Sequence, residues 1–225
     1  MKQQHMGTAG EKIVLGLSGG MDSVTLLYEK KDEIGMALSF AYGSNHSENE
    51  LKCASYHCEK LGIPHKIIHL DFMKDFGSSL TSGADAIPEG HYAAENMKST
   101  VVPFRNGIML SVAAGYAEAN GFSSLLLASH FGDHAIYPDC RSDFSKAISE
   151  AIRLGTYAGV TVEAPYSEIT KDEIARRGSK LGVDYSKTWS CYKGGEKHCG
   201  KCGTCVERKE AFQLAGVEDP TEYLG

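Results

Sequence analysis

The chain has 225 residues, of which 42% are hydrophobic and 23% are charged, proportions typical of globular domains. It shows no run of about 18 apolar residues and no apolar export signal near its N-terminus, so we expect a cytoplasmic protein with no membrane partner. The formal net charge of −6 disfavours a non-specific nucleic-acid binder, because such binding depends on Lys and Arg neutralising phosphates. A small-molecule substrate is therefore the expectation.

Short apolar runs alternate with segments of helical periodicity from residue 13 onwards. The runs predict strands over 13–17, 37–41, 66–70, 125–128 and 160–162. The periodic segments predict helices over 24–33, about 51–61, 105–120, about 143–154 and 171 to about 182. This alternation predicts right-handed βαβ units, and therefore an α/β fold with a doubly wound, mostly parallel five-stranded sheet.

Three parts of the chain are expected to differ in structure. Residues 1–12 are polar and aperiodic, and they predict a disordered or vector-derived tail. Residues 13–185 form the predicted main domain, in which the aperiodic stretch 71–100 predicts a mobile loop or lid and Thr170–Glu173 predicts a capping box. Residues 186–225 predict a small helical segment that carries four cysteines and packs on the main domain.

A glycine-rich turn follows the first predicted strand and consists of Leu17, Ser18, Gly19, Gly20, Met21, Asp22 and Ser23. Its two glycines let backbone N–H groups approach an anion, and the N-terminus of the following helix favours negative charge at the same point. Asp22 would repel a phosphate unless a divalent cation lay between them. The turn therefore predicts a phosphate-binding loop; the alternative is an ordinary turn in which Asp22 caps the helix.

Four of the seven cysteines are close together, at Cys191, Cys199, Cys202 and Cys205. Thiolates at this spacing, with glycines between them that permit tight turns, are typical of a closed structural Zn²⁺ site. His198 could replace one of the four ligands. An iron–sulfur centre is the alternative, although ferredoxin-type runs continue with a further cysteine and a proline that this chain lacks.

A polar, aromatic stretch over 128–141 follows the fourth predicted strand. In a doubly wound sheet it would lie at the carboxyl edge, where ligands bind. Its candidate substrate residues are Asp133, Tyr137, Asp139 and Arg141, together with two histidines. The alternatives are that Asp139 caps the next helix and that Arg141 is simply solvated.

The chain resembles the 7-cyano-7-deazaguanine synthase (QueC) family of the PP-loop superfamily. The resemblance lies in LSGGMDS at 17–23, YGSNHSENE at 42–50, VPFRN at 102–106, DHAIYPDCR at 133–141, ITK at 169–171 and TWSCY with CGKCGTC over 188–205. It implies a PP-loop Rossmann-like ATP-binding domain over 13–185, with ATP, Mg²⁺ and Zn²⁺ as cofactors and a homodimeric assembly. The implied activity is ATP-dependent conversion of 7-carboxy-7-deazaguanine and ammonia into the nitrile precursor of queuosine, through an amide.

The resemblance also implies roles for individual residues. The loop from Leu17 to Ser23 would hold the departing pyrophosphate and Asp22 would orient Mg²⁺. Lys171 would offset negative charge at the phosphates. The remaining predicted site residues would contact the carboxylate or the phosphates, recognise the edge of the deazaguanine ring or transfer protons. They are Arg105, Arg141, Asp133, Tyr137 and Asp139.

Departures from the family pattern leave alternatives open. The chain has Ala41 to His46 where the family more often reads DYGQRH, and Phe104 where it often has Gly. A paralogue could stop at the amide or couple the activated deazaguanine to another amine. A PP-loop RNA-modifying enzyme and a zinc-ribbon binding module are further alternatives, but the acidic chain lacks an evident RNA-binding domain.

Overall fold

The computed structural model describes residues 12–83, 86–92 and 95–224. Its strands are β1 (Ile13–Gly16), β2 (Ile34–Ala41), β3 (His65–His69), β4 (Ser124–Leu126) and β5 (Thr161–Glu163). They form one sheet in the order β3-β2-β1-β4-β5, with every neighbouring pair parallel. The predicted five-stranded parallel α/β sheet is confirmed. Apart from Lys12, the predicted tail lies outside the described residues.

The strand order places a crevice between β1 and β4. The chain runs outward from β1 through β2 to β3 and then returns to β4 on the other side of β1. Connections after β1 and β4 therefore leave the sheet in opposite directions at their carboxyl ends. Both the glycine-rich turn and the polar stretch 128–141 follow these two strands, so the topology brings them to the same edge.

The described residues form six α-helices around the sheet: α1 (Met21–Glu29), α2 (Ser47–Leu61), α3 (Arg105–Ala119), α4 (Ser142–Gly155), α5 (Lys171–Lys180) and α6 (Gly203–Ala215). α1 begins three residues before its predicted start, because Gly20 is its extended N-cap. Asp22 and Ser23 therefore belong to the first helical turn. No helix in the described part of the chain is long and apolar enough to cross a membrane.

Two apolar clusters hold the helices against the sheet. One joins side chains of α1, α5 and α6, including Leu27, Ile174 and Phe212. The other joins α3 and α4 to β4, including Ala114, Ile152 and Leu125. Burial of a side chain such as Phe212 contributes about 2 kcal/mol. The C-terminal helix α6 therefore shares its core with the main domain.

The stretch 71–100 is irregular, but its described part forms short 3-10 helices at Asp71–Phe76, Ser79–Thr81 and Glu95–Thr100. These 3-10 helices have only one or two turns, which is too short to give a hydrophobic period in the sequence. They nevertheless bury Met73, Leu80 and Met97.

The predicted capping box at the start of α5 is wrong. Thr170 is the N-cap, but its side chain accepts no hydrogen bond from the first helical turn. Glu173 is paired with Arg176 and Arg177 of the same helix instead. Its carboxylate is therefore not turned back towards the N-cap amide.

Candidate active site and metal centre

A cavity lies at the carboxyl ends of β1, β2 and β4. It is lined by the predicted site residues Leu17, Ser18, Gly20, Met21, Asp22, Ser23, Arg105, Asp133 and Lys171. All four residues predicted to be catalytic therefore line one cavity, although they come from separate parts of the chain. Parallel strands bring their carboxyl ends to one edge of a sheet, which explains this convergence.

The glycine-rich turn is held closed by its two serines. The Ser18 and Ser23 hydroxyls lie 3.0 Å apart. The Gly20 amide donates to Ser18 Oγ at 3.1 Å, and the Ser18 amide donates to Ser23 Oγ at 3.2 Å. These bonds fix the turn directly in front of α1, where the helix dipole attracts an anion.

Gly19 anchors the turn from behind. It has φ +91°, and a Cβ at this position would lie 2.1 Å from the Glu50 carbonyl oxygen in α2. Its own carbonyl accepts a hydrogen bond from the Trp189 amide at 3.0 Å. Gly19 is absent from the cavity lining. It fixes the turn between α2 and the segment that carries the cysteines.

Replacing Gly19 by Ala is expected to lower the free energy of unfolding by at least about 2 kcal/mol, because α2 would have to move away from the new methyl group. The matched control is Gly62→Ala, also at positive φ (+67°) but with open space around a Cβ. Strain alone should cost that variant about 1 kcal/mol. Urea unfolding measures the free energy of unfolding of both variants. An equal decrease in the two would contradict the role assigned to the close contact between Gly19 and α2.

Lys171 is the central cation of the site. Its Nζ lies 3.2 Å from Asp22 Oδ2 and 2.7 Å from Glu207 Oε2, and donates to His130 Nε2 at 3.1 Å. Burial by itself lowers the pKa of Lys171, but nearby carboxylates outweigh this effect and raise it above the ordinary lysine value. Lys171 is therefore a fixed positive charge beside the phosphate-binding turn.

Glu207 is a site residue that sequence analysis missed. It lies in α6, two residues after Cys205, and its side chain is 14% exposed. Burial raises the pKa of Glu207, while Lys171 acts in the opposite direction. Glu207 is not part of the cavity lining, so it supports Lys171 from behind. Thirty-six residues separate the pair in sequence, and only the packing of α6 brings them together.

Asp133 is held in place by two hydrogen bonds. Tyr92 donates its hydroxyl to Oδ1 at 2.9 Å, and the His130 amide donates to Oδ2 at 3.2 Å. Burial raises the pKa of Asp133, but His130, Lys171 and these hydrogen bonds lower it below its ordinary value. Asp133 is therefore an ionised carboxylate in the cavity wall. Tyr92, which also lines the cavity, was not predicted.

Arg105 lies at the far side of the cavity among tyrosines. Its Nη1 donates to the Tyr42 hydroxyl at 3.0 Å, and its guanidinium lies 6.0 Å from the centre of the Tyr137 ring. Tyr137 is buried, and its hydroxyl contacts the hydroxyls of Thr100 at 2.8 Å and Tyr192 at 3.2 Å. Tyr137 supports the cavity wall but does not line it.

Two further predicted substrate residues, like Tyr137, lie outside the cavity lining. Asp139 Oδ2 accepts from the Asn106 amide at 2.8 Å, and the Asp139 carbonyl accepts from the Asn106 side chain at 3.1 Å. Asp139 therefore fixes the start of α3 next to Arg105. Arg141 is exposed, and its Nε donates to the His134 carbonyl at 3.1 Å. Both side chains therefore make local hydrogen bonds to backbone groups, and their predicted role in substrate binding stays a prediction.

The four predicted metal-ligating cysteines come together as buried free thiols. Their Sγ atoms all lie within 4.8 Å of one another. Two pairs are 3.9 and 4.0 Å apart, close to the ~3.8 Å expected between sulfurs of a tetrahedral zinc site. The backbone amide of Cys202 points at Cys199 Sγ at 3.2 Å, which stabilises a thiolate. His198 instead accepts from the Ser190 amide, so the four cysteines fit the metal without it.

The family profile of the queuosine biosynthesis protein QueC matches residues 12–216. A 7-cyano-7-deazaguanine synthase of Porphyromonas gingivalis is 63% identical over 93% of this chain and 96% of the relative. Enzymes of the same name are 52% identical in Desulfotalea psychrophila, covering 94% of this chain and 98% of the relative, and 52% identical in Methanoregula boonei, covering 94% and 99%. These matches confirm the resemblance inferred from the motifs, and the chain belongs to the queuosine biosynthesis protein QueC family.

Proposed function

We propose that this chain is an ATP-dependent carbon–nitrogen ligase that converts 7-carboxy-7-deazaguanine and ammonia into 7-cyano-7-deazaguanine. The observation that carries this proposal is the meeting of Asp22, Lys171 and the glycine-rich turn in one cavity, in a chain 63% identical to a protein named 7-cyano-7-deazaguanine synthase. A turn that binds phosphate and a fixed cation are what transfer of a nucleotidyl group requires.

The proposed reaction requires two adenylylation steps, one on an oxygen of the substrate carboxylate and one on the oxygen of the amide. The substrate carboxylate attacks the α-phosphorus of ATP, so that pyrophosphate leaves and an acyl adenylate forms. Ammonia then attacks the carbonyl carbon and AMP departs with the oxygen, which leaves the amide and a proton. A second ATP adenylylates the amide oxygen, and loss of two protons and AMP yields the nitrile. One phosphate site serves both activations.

Side chains and backbone amides of the cavity would bind the phosphates of ATP and the carboxylate of the substrate. Backbone amides of the turn and of α1 would bind the departing pyrophosphate, with Ser18 and Ser23 keeping the turn closed. Lys171 would stabilise the negative charge that develops as the bond between the α- and β-phosphates breaks. Arg105 would neutralise the substrate carboxylate, because its remaining guanidinium donors suit paired oxygens.

Two metals fit the residues present. Asp22 Oδ1 is buried and has no hydrogen-bond partner in the described chain, which suits a ligand for Mg²⁺ beside phosphates. Mg²⁺ bound there would neutralise phosphate charge. The four cysteines would hold a structural Zn²⁺, because a full thiolate shell leaves no position for a reacting group.

The product test uses mass spectrometry after incubation of metal-replete protein with 7-carboxy-7-deazaguanine, ammonium and ATP. We expect the nitrile, AMP and pyrophosphate from the wild type, and a large loss of product from Asp22→Ala. The amide alone would identify a paralogue that stops halfway, and a conjugate would identify another amine as acceptor. Formation of neither nitrile nor amide would overturn the proposal.

Glu207→Gln is expected to lower kcat about tenfold or more, because the amide keeps the side-chain shape but not the charge that holds Lys171. Glu207→Asp, which keeps the charge, should recover part of kcat. Steady-state release of pyrophosphate measures both, and the KM for ATP should change less than kcat. The control is Glu210→Gln in the same helix, where the side chain is 45% exposed beside His91. Equal kcat values in wild type and Glu207→Gln would contradict this role.

The assembly and location implied by the family resemblance are part of the proposal. We expect a cytoplasmic homodimer that needs no nucleic acid for turnover. Light scattering on purified protein should give twice the molar mass of the chain, and added RNA should leave the rate of nitrile formation unchanged. A monomer, or a dependence on RNA, would contradict these expectations.

A further inference from the structure

The substrate end of the cavity contains a carboxyl group to which no role has been assigned. Glu50 lies in the first turn of α2 and lines the cavity. His46 Nε2 lies 3.7 Å from the Glu50 carboxylate, and the Arg105 cation is close enough to act on the pKa of this carboxyl group.

Glu50 differs from the other carboxyl groups that line this cavity because neither of its oxygens is held by a cation or a hydrogen-bond donor of the described residues. Asp22 is paired with Lys171, and Asp133 accepts from Tyr92 and from a backbone amide. Among the described residues, no group donates a hydrogen bond to Glu50, and its closest charged-group contact is His46 Nε2 at 3.7 Å. Ionised carboxylates accept hydrogen bonds through both oxygens, so this group can bind two donors of a ligand.

His46 cannot supply the missing donor in its neutral form. Its Nδ1 faces the Tyr192 carbonyl at 3.3 Å and therefore carries the ring proton. Burial lowers the pKa of His46 to about 4, so Nε2, the atom that faces Glu50, is unprotonated at neutral pH. Burial also raises the pKa of Glu50 to about 8 despite the nearby Arg105 cation. A ligand that brings N–H groups would favour the ionised carboxylate.

The 7-deazaguanine ring presents a matching edge. Its 2-amino group and N1–H are adjacent donors, followed around the ring by the O6 acceptor and then by the 7-carboxylate. A carboxylate can accept hydrogen bonds from these two donors, and a neighbouring guanidinium can donate hydrogen bonds to O6 and to the 7-carboxylate. Glu50 beside Arg105 provides this order. Adenine, by contrast, offers an acceptor at N1 and only one adjacent donor, so the pair does not fit the ATP base.

We propose that Glu50 is the specificity residue for the deazaguanine ring, and that its carboxylate accepts hydrogen bonds from N1–H and the 2-amino group. This inference rests on the proposed function and deepens it by assigning the recognition of the base. Arg105 binds the oxygens on the adjoining edge. An ammonium ion is a poorer occupant of Glu50, because the Arg105 cation repels it.

The test compares two substrates in each protein. The first is 7-carboxy-7-deazaguanine and the second is 7-carboxy-7-deazahypoxanthine, which lacks only the 2-amino group. The wild type should prefer the first by about 100-fold in kcat/KM, and Glu50→Gln should reduce this preference below about tenfold. A ratio of two substrates on one preparation does not depend on the fraction of active protein, so partial misfolding cannot produce this result.

Glu48→Gln is the matched control, since Glu48 is two residues away in the same helical turn, is 83% exposed and pairs with Lys52. It should keep the wild-type preference. If Glu50→Gln is too slow to assay, calorimetric dissociation constants for the two compounds replace the kinetic ratio. A wild type that does not discriminate, or a Glu50→Gln variant that keeps the wild-type ratio while only its KM for ammonium or ATP changes, would overturn the inference. Failure of the wild type to form nitrile or amide from either compound would instead overturn the proposed function.

Discussion

Lys171→Met is expected to lower kcat/KM for the ATP-dependent reaction by about 100- to 1,000-fold. The substitution keeps the length of the side chain but removes the cation beside the turn that binds pyrophosphate. Loss of one fixed group that stabilises transition-state charge commonly has this magnitude. The measurement is initial-rate release of pyrophosphate at saturating ammonium. A rate within tenfold of wild type would contradict the placement of Lys171 at the reacting phosphates.

The same substitution should also destabilise the fold at neutral pH by about 3 kcal/mol, because it leaves three buried carboxylates without their shared cation: Asp22, Asp133 and Glu207. Without that cation, burial should raise the folded-state pKa values of Asp133 and Glu207 above their unfolded values. The folded variant would then bind more protons than its unfolded state, and its stability should rise as the pH falls from 7 towards 5. The control is Lys180→Met in the exposed last turn of α5, which should change neither activity nor stability.

Cys202→Ser is expected to lower the bound zinc to well below one ion per chain and the free energy of unfolding by at least about 3 kcal/mol. A structural zinc site contributes its binding energy to folding, and Ser is a poor ligand for this ion. Elemental analysis and urea unfolding measure the two effects. Cys53→Ser is the control, because Cys53 is a half-buried free thiol outside the cluster.

Loss of the zinc ion should also lower the ATP-dependent activity. Contacts between the segment that carries the cysteines and the active site include the Trp189 amide on Gly19 and Glu207 on Lys171. Removal of the ion by a chelator should therefore weaken ATP binding, measured by calorimetry. Unchanged ATP affinity and stability in metal-free protein would contradict this coupling. Iron and inorganic sulfide in the purified protein would favour the alternative iron–sulfur centre.

Local features of this protein were the ones that its sequence predicted best. The turn from Leu17 to Ser23 and the four cysteines are recognisable because the groups that must converge lie within a few residues of one another. The alternation of strands and helices was likewise sufficient for the α/β sheet, since burial on both faces imposes continuous apolar runs on the strands. In the polar stretch that contains Asp139 and Arg141, composition does not show which side chains bind backbone groups and which face a ligand, and the structure places both in hydrogen bonds to backbone groups.

The sequence by itself determined the family, the parallel sheet, the phosphate-binding turn as a candidate and the set of sulfur ligands. Only the tertiary structure decided which distant groups serve that turn. Glu207 reaches Lys171 because α6 packs beside α5, and Glu50 reaches the cavity because α2 packs against Gly19. The physical reason is that charges act over a few ångströms in space, and separation along the chain carries no information about that distance.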